Sequence, residues 1–217
     1  MPDQMSLPGV PAEPALFQPE VVHGRAGQLR GYNLFFALVP LRDDAEHFAQ
    51  VGAELRRRHG LRGPCLPPQN LHVSLHAVAG YANRIPRSDI DAARAAAARV
   101  TWPGSSILFD RACSFNTAGN NPFVLRCDAQ SDDAVTRLRD ALGDELRRAG
   151  LRPKPSRTPH MTLLYDSILV PEHLIEQTGW IAARFTLILS HQGRGHHERL
   201  GDWPPPDDGS RARDSQK

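Results

Sequence analysis

Apolar residues in this chain gather in short dense runs, and between them lie polar stretches with helical spacing. "YNLFFALVP" (32–40) is a strand by its aromatic and aliphatic density. "LRDDAEHFAQVGAELRRRHG" (41–60) then has a helical period, with Asp43 or Asp44 to cap it, basic residues in its last turn and Gly60 to stop it. "NLHVSLHAVAG" (70–80) is a second strand. The same order returns downstream: "NPFVLRCDA" (121–129) as a strand, "SDDAVTRLRDALGDELRRAG" (131–150) as a helix, and a strand at the end of "LRPKPSRTPHMTLLYD" (151–166). Both helices start near Asp-Asp-Ala, carry Glu-Leu-Arg-Arg and stop at a glycine. Asp43 precedes His72 by 29 positions and Asp132 precedes His160 by 28. Order, caps and spacing together point to an internal duplication, with repeats over about 30–115 and 120–203.

The remaining segments fill out each repeat. "DIDAARAAAARV" (89–100) predicts a helix and "SSILFDRACSF" (105–115) a strand. "PEHLIEQTG" (171–179) predicts a short helix, and residues 183–204 two strands around a Gly-rich turn. Several connections are short, so the expected class is α+β rather than a doubly wound parallel sheet. Residues 1–28 are punctuated by Pro and Gly and predict a flexible tail, 29–204 form the domain, and 205–217 predict a disordered end.

Alternation along a strand separates the two faces of each run. Leu71, Val73, Leu75 and Ala77 share one face, and His72, Ser74, His76 and Val78 the other. In the second run His160 and Thr162 share a face, opposite Met161 and Leu163. Only these two of the ten histidines begin an H-x-(S/T) run, and both stand at the same place in the repeat. A pseudo-two-fold axis would bring two imidazoles and two hydroxyls around one cavity. Hydroxyls can donate to the non-bridging oxygens of a phosphate. One neutral imidazole can take a proton from water while a protonated one gives a proton to the leaving oxygen, and no metal is required.

The paired H-x-(S/T)-L runs resemble those of the 2H phosphoesterase superfamily, in its 2′-5′ RNA ligase and RNA 2′,3′-cyclic phosphodiesterase branch. "NLFFALVP", "LPPQNLHVSLHAVAG", "SILFDRACSF", "LRPKPSRTPHMTLLYD" and "RLGDWP" carry the resemblance over most of 30–204. It implies a bilobal duplicated fold of two β-sheets with flanking helices, both motifs facing a central cleft. It further implies that His72 and His160 are catalytic, that Ser74 and Thr162 bind phosphate, and that no cofactor is needed. The implied reaction opens a 2′,3′-cyclic phosphate with water, and 2′-5′ ligation is the reverse type of transfer. One histidine serves as base toward water and the other as acid toward the leaving oxygen; His160 as base and His72 as acid is the order preferred here, and the near-symmetry of the motifs leaves the reverse order open. The sequence departs from the family at Ala77, where an aromatic residue is common.

Other residues are candidates for substrate contact. His76 shares the face of His72 and so lines the cleft or stands at its rim. Tyr165 falls on the face of Met161 and reaches the cleft only if a bulge intervenes. Lys154 and Arg157 lie in a basic run before the second motif, a solvated loop or a contact to flanking phosphates. Phe115 is a core aromatic or a platform for a base. His191, His196 and His197 read as a polar turn, the competing role being metal ligation.

Composition narrows the classes. The 217 residues carry 26 basic and 24 acidic side chains, a formal charge of +2, so partners are RNA ends or small cyclic nucleotides rather than a long nucleic-acid footprint. Three cysteines without CxxC spacing suit a reducing compartment. No run of about 18 apolar residues occurs. The expectation is a cytoplasmic monomer, and the competing class is a nucleotide-binding module without turnover.

Overall fold

The computed structural model describes residues 31–205, apart from 83, 118 and 192–194. The tails expected over 1–28 and 205–217 lie outside the described residues, residue 205 excepted. In chain order the elements are β1 (Tyr32–Leu38), α1 (Arg42–Arg58), β2 (Val73–Tyr81), α2 (Arg87–Ala97), β3 (Ser105–Ser114), β4 (Asn121–Cys127), α3 (Ala129–Arg148), β5 (Lys154–Pro155), β6 (His160–Asp166), β7 (His173–Ala182), β8 (Phe185–His191) and β9 (His196–Trp203).

The duplicated helices end alike. Gly60 and Gly150 take φ of +65° and +82°, a backbone state that suits glycine. Leu61 N donates to Arg56 O and Leu151 N to Leu146 O, the six-to-one bond of a Schellman stop. The starts differ. Asp128 caps α3 by accepting from Ser131 N at 2.8 Å. Neither Asp43 nor Asp44 caps α1: Leu41 holds the cap position, and the two aspartates sit in the first turn against the helix dipole.

The strands form one antiparallel path, β7-β3-β4-β6-β2-β1-β8-β9, with β5 paired on β2. The two sheets expected from the duplication are therefore two halves of one path. They join at the single pair Val73↔Met161 between β2 and β6. The halves also draw on both sequence repeats: β3 lies beside β4 in the second half, and β8 and β9 return to β1 in the first. Residues 171–179 are not helical. Pairing of β7 with β3, from Ser105↔Ala182 to Ala112↔His173, overrides the local preference. The approach is close at Gly179, where a Cβ would lie 2.2 Å from Ile107 O.

The helices cover one face, and α1 and α3 each reach across to the other half. α1 stands between β1 and β2 in sequence, yet its Phe48 packs at 5.6 Å from both Phe109 of β3 and Trp180 of β7. α3 lies behind β2, where His76 packs against Gly143. One apolar core consequently runs through both halves. The other face of the sheet carries two small mirror groups, Phe35–Ala37–Ile188 and Cys113–Phe115–Val124, and is left as a cleft. Among the described residues no helix is long and apolar enough to cross a membrane.

Candidate active site

Each motif strand carries a bulge at its leucine. Ala37 pairs with Ser74 and Phe36 with His76, so Leu75 has no partner across β1. Val124 pairs with Thr162 and Phe123 with Leu164, so Leu163 has none across β4. The bulged carbonyls are used alike: Leu75 O accepts from Ser156 N at 3.1 Å, and Leu163 O from Leu66 N at 2.7 Å. Each motif is thereby tied to the segment that leads into the other.

A bulge reverses the alternation beyond it. This corrects the expectation for His76. It leaves the face of His72, is buried toward α3, and its Nε2–H donates to Arg139 O at 2.6 Å. The same device brings Tyr165 to the cleft face, where its hydroxyl hydrogen-bonds with Thr162 and burial raises its pKa. The register makes Ala77 the counterpart of Tyr165, and on that side the aromatic ring lining the cavity is Phe35, the partner of Ala77 on β1.

His72, Ser74, His160 and Thr162 line one cavity of about 190 Å³, with Tyr165 and His197. The two catalytic candidates are held identically. Nδ1 of His72 lies 2.7 Å from Asn70 O, and Nδ1 of His160 lies 2.7 Å from Thr158 O. A carbonyl only accepts, so each Nδ1 carries the proton and each neutral ring keeps its basic site at Nε2. Aromatic edges brace both rings: Phe35 stands 5.2 Å from His72, and Phe115 stands 4.9 Å from His160 at 77°. Phe115 is buried there, packed on the imidazole rather than offered to a base.

The loops before the motifs are pinned from the helices. Arg56 of α1 donates to Gly63 O at 2.8 Å, and Arg139 of α3 donates to Ser156 O and Arg157 O. The amides of Ile168, Gly63 and Arg62 hold the Asp166 carboxyl below its ordinary range. Lys154 and Arg157 are exposed on the second of these loops, outside the lining of the cavity.

Electrostatics acts strongly on His72. Burial, reinforced by His197 and by His160, pushes its pKa down to about 4 despite the bond to Asn70 O. In the empty site at neutral pH His72 is therefore uncharged. His197 lies 5.6 Å from it, and its own pKa is lowered by burial and by His196. Sequence reasoning placed His197 in a polar turn. No local signal separates it from His196; its register opposite Ser190 brings it to the cleft. His191 instead faces Glu198 at 3.5 Å, and among the described residues no three His, Cys, Asp or Glu side chains converge as metal ligands.

Comparison with known proteins identifies the family and the fold. The sequence matches the family described as the 2′-5′ RNA ligase superfamily over residues 35–188. No curated protein matches the chain. Among solved structures, Escherichia coli LigT in complex with NADP+ superposes with a TM-score of 0.62 at 22% identity, over 80% of this chain and 97% of LigT. LigT with 3′-AMP gives 0.62 at 23% over the same shares. A Thermus thermophilus protein gives 0.57 at 18%, over 78% of this chain and 96% of its own. At these identities the likeness is one of fold.

Proposed function

Because the chain belongs to the 2′-5′ RNA ligase superfamily, the 2H phosphoesterases, we propose that it hydrolyses 2′,3′-cyclic phosphates on RNA ends or small nucleotides without a metal. The observation that carries this reading is the pair of identically held histidines, each with its hydroxyl, around one cavity. His160 Nε2 takes a proton from water as the water oxygen bonds to phosphorus. The bond from phosphorus to one ribose oxygen breaks, and protonated His72 gives its Nε2 proton to that oxygen. Ser74 and Thr162 donate to the non-bridging oxygens as charge gathers there. Solvent then returns both rings to their starting states. With the hydroxyl of a second RNA end in place of water, the reverse type of transfer joins two ends through a 2′-5′ bond. Cys65, Cys113 and Cys127 are free thiols, which suits a reducing compartment.

The test is hydrolysis of an oligonucleotide ending in a 2′,3′-cyclic phosphate, with excess EDTA present. Turnover is expected to survive the chelator, and the position of the product phosphate names the ribose oxygen that leaves. A folded protein without turnover would leave only a binding module. Loss of activity with EDTA would require a metal.

The uncharged state of His72 has a consequence for binding. An anion beside the ring raises its pKa toward or above the ordinary value, so the occupied site holds more protons than the empty one. Affinity must then rise as pH falls, because binding takes up a proton. Sulfate, which does not titrate in this range, is expected to bind more tightly at pH 5 than at pH 7. Calorimetry of wild type and His72→Gln checks this. A pH-independent affinity in the wild type, or an equal dependence in the variant, would contradict it.

A further inference from the structure

Beyond His72 and His197 the cleft face opens into a second cavity, of about 210 Å³, which shares those two rings with the first. Half-buried Val39 and the Ile188 it packs on give it an apolar surface, while Gln69 and Arg199 stand exposed at its edge. Arg199 is opposite Ile188 in the β8–β9 ladder and two residues from His197, so β9 presents both side chains to the cleft. Among the described residues Arg199 forms no ion pair, and it is the one permanently charged side chain in this lining.

The other half of the cleft differs at the matching place. Leu38 pairs with Val73 and Leu125 with Met161, which makes Val39 the counterpart of Arg126. Arg126 is bound to Glu172 at 2.9 Å, and Phe115 lies on His160 beside it. On the His160 side the cation is thus neutralised and an aromatic ring takes the space. On the His72 side Arg199, without an ion-pair partner among the described residues, borders the second cavity.

We propose that the second cavity is a subsite for the nucleotide preceding the reacting end of a single-stranded RNA. Arg199 takes the phosphodiester between that nucleotide and the last one, and the preceding base lies over Val39 and Ile188. An unpaired strand is required, since only there is a base free to leave its neighbours. This subsite presupposes the phosphoesterase site above and narrows its substrate to RNA ends over free cyclic nucleotides.

The experiment compares adenosine 2′,3′-cyclic phosphate with a tetranucleotide ending in the same group, in wild type, Arg199→Gln and Arg199→Glu. The tetranucleotide is expected to show at least about tenfold higher kcat/KM, through KM, in the wild type; one charge-assisted contact corresponds to about that factor. Both variants should lose most of this advantage while turning over the mononucleotide as before. Binding of a 3′-phosphorylated tetranucleotide should lose about 0.7 from its slope against log salt in Arg199→Gln. No wild-type preference for the tetranucleotide, or a preference and salt slope unchanged in both variants, would overturn the subsite. If neither substrate is turned over yet tetranucleotide binding depends on Arg199, hydrolysis fails and the subsite stands.

Discussion

Replacing either motif histidine with alanine is expected to lower turnover of a cyclic-phosphate end by roughly 10²–10⁴-fold, the usual contribution of a positioned acid or base. The two losses should be of similar size. Both rings are fixed through Nδ1 to a carbonyl two residues earlier, so both offer Nε2 to the same cavity. The double variant should be little worse than either single one, since acid and base act on one transition state. Ser74→Ala and Thr162→Ala should cost less, about 10–100-fold each, as expected for single hydrogen bonds to a charged oxygen. Tyr165 hydrogen-bonds with Thr162, so a Tyr165→Phe change should act through the orientation of that hydroxyl. Rates measured on variants with unchanged thermal unfolding decide the matter. A residual rate within tenfold of wild type in His72→Ala or His160→Ala would remove that ring from the chemistry.

The largest effect on stability is expected from Phe48→Ala. Phe48 is fully buried on α1 and meets Phe109 and Trp180 edge-on at 5.6 Å. Truncating such a ring costs about 3–5 kcal/mol, a large part of the roughly 5–15 kcal/mol that holds a domain together. The form of unfolding should also be informative. α1 belongs to the first sequence repeat but packs on β3 and β7 of the second half, and one core runs through both halves. Loss of Phe48 should therefore lower the midpoint of a single urea transition. Two separate transitions, or a loss below about 1 kcal/mol, would show that the halves do not share their core as the packing indicates.

Local patterns account for much of this molecule. The runs at 32–40, 70–80, 105–115 and 121–129 are strands, and the helices at 41–60 and 131–150 stop where their glycines stand. The pairs His72–Ser74 and His160–Thr162 share a face because alternation holds as far as the leucine that follows. Beyond that leucine it fails. Whether a strand bulges depends on the register of its neighbour, and no residue of "HVSLHAV" or "HMTLLYD" records it. His76 is consequently buried under α3 and Tyr165 reaches the cleft. Residues 171–179 have the Glu, Leu and Gln of a helix and become an edge strand because β3 offers an unpaired side. His197 reaches the site only through the pairing of β9.

By itself the sequence determined the recurring strand–helix–strand pattern, the ends of its helices and the two histidine–hydroxyl pairs, all set by neighbours within a few residues. Tertiary structure decided how those pairs meet. Joining the halves through one strand pair, packing α1 and α3 across the junction and bulging each motif depend on contacts between residues far apart in the chain. Burial, which only the packed fold creates, is also what leaves His72 uncharged in the empty site.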